Sequence, residues 1–172
     1  LGIMLCLLLM LTACGGETAS EDTIKVGWIG PMTDDAAYLG LPPLKGIQLA
    51  IEEINANGGV DGKQLELFSE DGKCTGSEAT KAFTKLVNVN KIDAVIVSCS
   101  PELLAVAPLA EQHGVLVLSH FATAPTISDA GDHVFRVVPS DALQGKVGAD
   151  ILKERGYSKV GIIYINHDYG VG

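Results

Sequence analysis

Residues 92–104 read IDAVIVSCSPELL, and this stretch limits the possible fold more than any other. Residues 92–98 form an apolar, β-branched run around Val95, Ile96 and Val97 with no turn residue inside, the pattern of a strand buried on both faces. The run stops at Ser98-Cys99-Ser100-Pro101. Ser100 suits the N-cap of a helix, and Pro101 suits its first position, where a missing N–H costs nothing. A buried strand therefore passes straight into a helix. Such a junction aims free N–H groups, the positive end of a helix dipole and a hydroxyl at one spot beyond the sheet edge, where ligands sit in open α/β sheets. The same residues also suit a capped helix that binds nothing.

The rest of the chain repeats this grammar. Residues 24–29 alternate as a first strand, and a loop follows over 30–40. Pro42-Pro43 opens a helix to about Asn57, with Leu44, Ile47, Ile51 and Ile54 on one face and Gly58-Gly59 as its stop. Residues 64–70 read as a second strand. Thr75 and Glu78 have capping-box spacing ahead of a helix that buries Ala79, Ala82, Phe83, Leu86 and Val87. The helix after Pro101 runs to about His113, and Pro108 is expected to kink or split it. Residues 115–119, 134–138 and 159–165 read as fourth, fifth and sixth strands, with a helix from Ser140 to about Arg155 between the last two. The loop over 120–132 is long for a compact domain, a mark of function. Strand and helix alternate throughout, which implies an α/β fold with a doubly wound parallel sheet.

With 172 residues the chain has room for about one domain. Its net charge of −9, the lack of a basic stripe and an aromatic content of 5% argue against nucleic acid as a partner. Residues 1–13 are apolar and uncharged, too short to span a membrane but suited to the core of a secretory signal. This leader has neither an initiator Met nor a basic start, so it reads as truncated. Leu11-Thr12-Ala13-Cys14 resembles a bacterial lipobox, which predicts lipidation at Cys14 and an extracytoplasmic, membrane-anchored lipoprotein. Residues 14–23 then form a small, polar, acidic tether. Cys6 falls in the leader, which leaves Cys74 and Cys99 as one pair in an exported chain, where disulfides persist.

Chemistry is sparse. No Walker loop and no GxGxxG follows the first strand, so no nucleotide cofactor is expected. No ligand set at metal spacing accompanies the two cysteines. Asp34-Asp35 could bind a cation but suits a solvated loop better, and His120 lies where it could line a pocket. His113, His133 and His167 read as surface or end-of-element residues. A thiol at a helix N-terminus has a lowered pKa, so a Cys99-dependent enzyme is an alternative reading.

Taken in order, GPMTDDAAYLG, INANGGVDGKQLEL, EDGKC, VSCSPELLAVAPLAE, FATAP, VFRVVPSDALQG and IIYINHDYGVG resemble the N-terminal part of the branched-chain amino acid binding proteins of ABC transporters. These are type I periplasmic binding proteins, with two α/β lobes joined by hinge strands. The resemblance implies that Ser100, Thr123 and neighbouring backbone N–H groups hold a ligand carboxylate. It places Phe121 and Ala122 in the same set, a carbonyl near Phe121 receiving the ligand ammonium. Tyr38 packs on the ligand, although Leu39 occupies the family's usual position for that ring, and Tyr169, in a Tyr169-Gly170 pair that matches the one after the first strand of lobe 2, belongs to the ligand set. The family disulfide corresponds to Cys74–Cys99. Lobe 1 then covers residues 24–138 and the start of lobe 2 residues 139–172, so the sequence reads as a fragment. The implied function is a receptor that carries an amino acid, branched-chain or related, or an amide, to ABC permease subunits. A ligand-sensing domain of a signalling receptor with the same fold is the other alternative.

Overall fold

The computed structural model describes residues 23–171. The leader with Cys6, the lipidation site at Cys14 and all but the last residue of the tether lie outside the described residues.

Five parallel strands form one sheet in the order β2-β1-β3-β4-β5. They are β1 Ile24–Gly30, β2 Leu65–Asp71, β3 Ala94–Val97, β4 Leu116–Ser119 and β5 Val134–Arg136. The helices are α1 Ala37–Ala56, α2 Gly76–Lys85, α3 Ser100–His113, α4 Asp141–Glu154 and the single turn α5 Asp168–Val171. The strand order reverses between β1 and β3, so a crevice opens at their carboxyl ends. Trp28 faces Ile96 across that boundary, and Val97 faces Ser119 on β4. One sheet face, carrying Ile29, Val95, Val97 and Val117, buries Phe83 of α2, Leu86 just after it, and Leu103, Val106 and Ala110 of α3. The apolar run of β3 is thus satisfied on the side where the two helices lie.

Several boundaries differ from the sequence expectation. Helix α1 begins at Ala37, and Pro42 and Pro43 lie inside it. The prolines forgo only the bonds that Tyr38 and Leu39 carbonyls would accept. Gly40 packs directly on the Pro31 carbonyl, a place a side chain would fill, and this contact holds the first turn. Helix α3 is capped by Cys99, and Ser100 is already helical. It runs unbroken through Pro108, which sits on the exposed face where water can serve the carbonyl that its missing N–H leaves. The loop over 120–132 is folded, with a 3-10 turn over Pro125–Asp129 that buries Ile127. The Arg136 guanidinium closes it, donating to the Thr123 carbonyl at 3.2 Å, the Ala124 carbonyl at 2.9 Å and the Ser128 hydroxyl at 2.6 Å. Strand β5 stops at Arg136 rather than Val138.

The sixth strand expected over residues 159–165 does not form. Its residues are exposed, and among the described residues no strand pairs with them. Alternating apolar residues make a strand only when a neighbour supplies the hydrogen-bond ladder.

Thr75 does cap α2, its hydroxyl accepting the Glu78 N–H at 3.4 Å. The Glu78 carboxylate meets Lys81 at 2.8 Å. Thr75→Ala should cost about 0.5–1 kcal/mol in urea denaturation, the lower part of the range for caps because the bond is long. No loss at all would mean the hydroxyl does no capping.

Candidate functional site

The carboxyl ends of β1 to β4 converge on a cavity of about 260 Å³. Tyr38 and Leu39 reach it from the first turn of α1, Cys74 from the turn after β2, and Cys99, Ser100 and Pro101 from the β3–α3 junction. Phe121 closes it after β4, and Ile165, His167 and Tyr169 close the far side.

Cys74 and Cys99 form a disulfide with their Cα atoms 5.3 Å apart. The bridge ties the ends of β2 and β3, the two neighbours of β1, across the end of β1. It lines the cavity and leaves no thiol at the N-terminus of α3.

Ser100 is almost fully buried, and its hydroxyl accepts the Ala124 N–H at 3.3 Å. Because Cys99 is the cap, this hydroxyl does not cap the helix. Thr123 is turned elsewhere. Its hydroxyl donates to Asp141 Oδ2 at 2.7 Å, and the Asp141 N–H donates back to the Thr123 carbonyl at 2.9 Å. It lines a separate depression with Ser140, Asp141 and Gln144. Ala122 is buried, and Ser119 Oγ takes its N–H at 2.9 Å and the Phe121 N–H at 3.3 Å. The structure therefore brings Tyr38, Ser100, Phe121 and Tyr169 together and leaves Thr123 and Ala122 off the cavity.

His120 does not line the cavity. It packs on Trp28 with ring centroids 5.4 Å apart, and among the described residues neither ring nitrogen has a hydrogen-bond partner. Burial lowers its pKa. His167 is exposed, as expected, and also lines the cavity. Asp34 is engaged with Lys73 Nζ at 3.1 Å, and among the described residues no cluster of three or more His, Cys, Asp or Glu could hold a metal.

Two carboxylates hold backbone amides at the ends of β1, β2 and β3. Asp71 Oδ1 accepts the Met32 N–H at 2.9 Å and the Lys73 N–H at 3.1 Å, and Thr33 donates to its other oxygen. Burial pushes against its charge, yet these donors hold its pKa below the usual value. Glu102 is fully buried and accepts the Cys74 N–H at 2.9 Å and the Cys99 N–H at 2.8 Å. Burial pushes its pKa up to about 7 against those two amides, and the nearby charge of Asp71 adds to the rise. Between about pH 4.5 and 7 the folded chain holds a proton here that the unfolded chain has lost. The stability this group contributes is therefore full at low pH and is lost as pH rises through about 7.

Sequence reasoning missed Ser119, Asp141 and Glu102. Glu102 had a signal: it stands three residues after Cys99, the spacing at which a carboxylate reaches back to an N-cap amide. Asp141 had none toward Thr123, because the contact spans two elements.

The model of the periplasmic binding protein family matches residues 23–172. The chain belongs to the periplasmic binding protein family. The chain is 35% identical over 155 residues to the leucine-, isoleucine-, valine-, threonine- and alanine-binding protein of Pseudomonas aeruginosa, covering 89% of this chain and 42% of that one. Among solved structures, the branched-chain amino acid transporter substrate-binding protein of Streptococcus pneumoniae, bound to isoleucine, superposes with a TM-score of 0.72 at 35% identity. That match covers 77% of this chain and 38% of the other. A solute-binding protein of an ABC transporter from Rhodopseudomonas palustris, bound to 3,4-dihydroxybenzoic acid, superposes with a TM-score of 0.79 at 26% identity, over 88% and 41% of the two chains. The chain thus spans less than half the length of the relatives it matches. Its parallel sheet, switch point and flanking helices are those of a type I periplasmic binding protein.

Proposed function

We propose that this periplasmic binding protein chain supplies lobe 1, over residues 24–138, and the start of lobe 2, over residues 139–172, of an extracytoplasmic receptor. The receptor binds an amino acid, branched-chain or related, or an amide, and delivers it to ABC permease subunits in the membrane. A lipid on Cys14 anchors it. The observation that carries this reading is the cavity at the switch point, walled by Ser100, the N-terminus of α3, Tyr38, Phe121 and Tyr169. A ligand carboxylate must replace its lost water with donors, and a helix start beside a hydroxyl offers them without a cation. Thr123 joins Ser100 at the ligand after exchanging its bond to Asp141, and a backbone carbonyl near Phe121 and Ala122 takes the ammonium. Lobe closure over the ligand then presents the docking form to the permease. The binding itself needs no bond-making chemistry, and the disulfide occupies the sulfur a Cys99-dependent enzyme would need.

A second ligand class has its own support. Three aromatic rings, Tyr38, Phe121 and Tyr169, face the cavity, and one relative holds a dihydroxybenzoate. An aromatic carboxylate would use the same donors and stack on those rings.

Titration calorimetry with L-leucine, L-isoleucine and 4-hydroxybenzoate on the full-length receptor separates the two. Ser100→Ala should weaken the bound carboxylate by about 10- to 150-fold, the worth of one hydrogen bond to a charged group. Circular dichroism melts run alongside, since the variant also leaves the Ala124 N–H unpaired. Wild-type affinity in a folded Ser100→Ala variant would remove Ser100 from the site.

A further inference from the structure

We propose that Glu102 is a positioning residue for the cavity: its buried carboxylate holds the backbone amides of both half-cystines and so sets the wall that Cys74, Cys99 and Ser100 present. The inference rests on reading that cavity as the ligand site.

One carboxylate serves two strand exits. Oε1 takes the Cys74 N–H at 2.9 Å, and Oε2 takes the Cys99 N–H at 2.8 Å. An ordinary helix cap needs only the second bond. The turn after β2 is shaped around the first. A side chain at Gly72 would collide with Oε1, so the turn carries the one residue that leaves the carboxylate room. The next two residues, Lys73 at φ 49 and Cys74 at φ 56, sit in the left-handed region that side chains disfavour. Such a turn persists only when its surroundings hold it: Asp71 takes the Lys73 N–H, and the disulfide and Glu102 hold Cys74.

The charged groups around this carboxylate are few. Asp71, at the end of β2, repels it. Lys73 turns its charge to Asp34 of the β1–α1 loop and also feels Asp71 and Glu78 of α2. No cation is bonded to Glu102 itself among the described residues. It serves both amides only while ionised, because a protonated oxygen would face an N–H donor with a donor of its own. Burial raises its pKa to about 7, so as pH falls through neutrality the carboxyl stays buried in its protonated form, which favours the fold as a whole, while its hold on one of the two amides weakens.

Hydrogen exchange at the Cys74 and Cys99 amides, in peptides from residues 72–76 and 97–101, tests this on the full chain. With intrinsic rates corrected for pH, Glu102→Gln should exchange about 10-fold faster at Cys74 than wild type at pH 8, because the amide side chain offers one acceptor for two donors. Wild-type protection at Cys74 should fall between pH 8 and 6, while that of Glu102→Gln stays flat. Unchanged protection at Cys74 in the variant would overturn the proposal. If Glu102→Gln does not fold, Glu102→Asp, whose shorter carboxylate cannot reach both amides, should raise exchange at Cys74 in the same way, and unchanged protection there overturns the proposal. An L-leucine titration supplies the link to the cavity. Affinity that falls over the same pH range in wild type, and is weak and flat in Glu102→Gln, supports the positioning role. Affinity that ignores both the variant and the pH overturns it. If wild type binds no leucine, the amino acid reading fails, and the exchange profile still decides what Glu102 holds.

Discussion

Reducing the Cys74–Cys99 disulfide should lower the unfolding free energy by about 3–4 kcal/mol. The bridge closes a loop with a sequence separation of 25, and its removal returns that loop's freedom to the unfolded chain. The native state also changes. Lys73 and Cys74 hold left-handed backbone conformations that the bridge enforces together with Glu102 and the Asp71 carboxylate, so the turn should relax when the bridge goes. Part of the expected loss is then recovered as relief of strain, at the expense of the cavity wall. Urea denaturation with and without reductant, and of a Cys74→Ser/Cys99→Ser double variant, measures the effect. The two should agree within the error of the extrapolation. A change below about 1 kcal/mol would mean that the turn after β2 contributes little to the cooperative fold. A ligand in the cavity should also slow reduction, because the bridge is part of the wall it covers.

Trp28→Ala should cost about 3–5 kcal/mol, the range for deleting a large aromatic from a core. Trp28 is completely buried, lies on β1 between β2 and β3, and carries the His120 ring. Gly30, two residues on, is a glycine because a side chain there would press on the indole and on Ser98. Trp28→Phe should cost clearly less than the alanine variant. The indole N–H has no hydrogen-bond partner among the described residues, so its loss breaks no bond and only volume is given up. Trp28 is the one tryptophan in the chain, so circular dichroism in urea must follow both variants. Equal losses for phenylalanine and alanine would show that the indole N–H is bonded in solution, most simply to a buried water.

How much was legible depended on the range of the interaction. The strand-to-helix junction at residues 92–104 was readable because hydrophobic period and helix punctuation are local. Its cap was misplaced by one residue, since Ser100 and Cys99 both precede a proline. What chose between them was Glu102 reaching back to the Cys99 amide while its other oxygen took Cys74, from a different strand. The start of α1 was misplaced for a similar reason: prolines usually open helices, and only the packing of Gly40 on Pro31 shows that this one begins earlier. The disulfide pairing was legible from the two cysteines left over in an exported chain and from family resemblance, not from spacing.

The sequence by itself determined the order of elements, the parallel α/β architecture and the sheet edge at which a ligand would sit. Those follow from periodicity and crossover geometry, which act over a few residues or bind any chain alike. Only the tertiary structure decided which hydroxyl faces the cavity. Ser100 and Thr123 look equivalent in the sequence, yet Asp141, 18 residues from Thr123, takes the threonine, while Ser100 stays at the wall. It likewise decided that residues 159–165, apolar and alternating as they are, form no strand, because a strand is completed by its neighbour. In each case the deciding partner is distant in sequence, and the direction of a side chain or the pairing of an amide is set by what packing brings beside it.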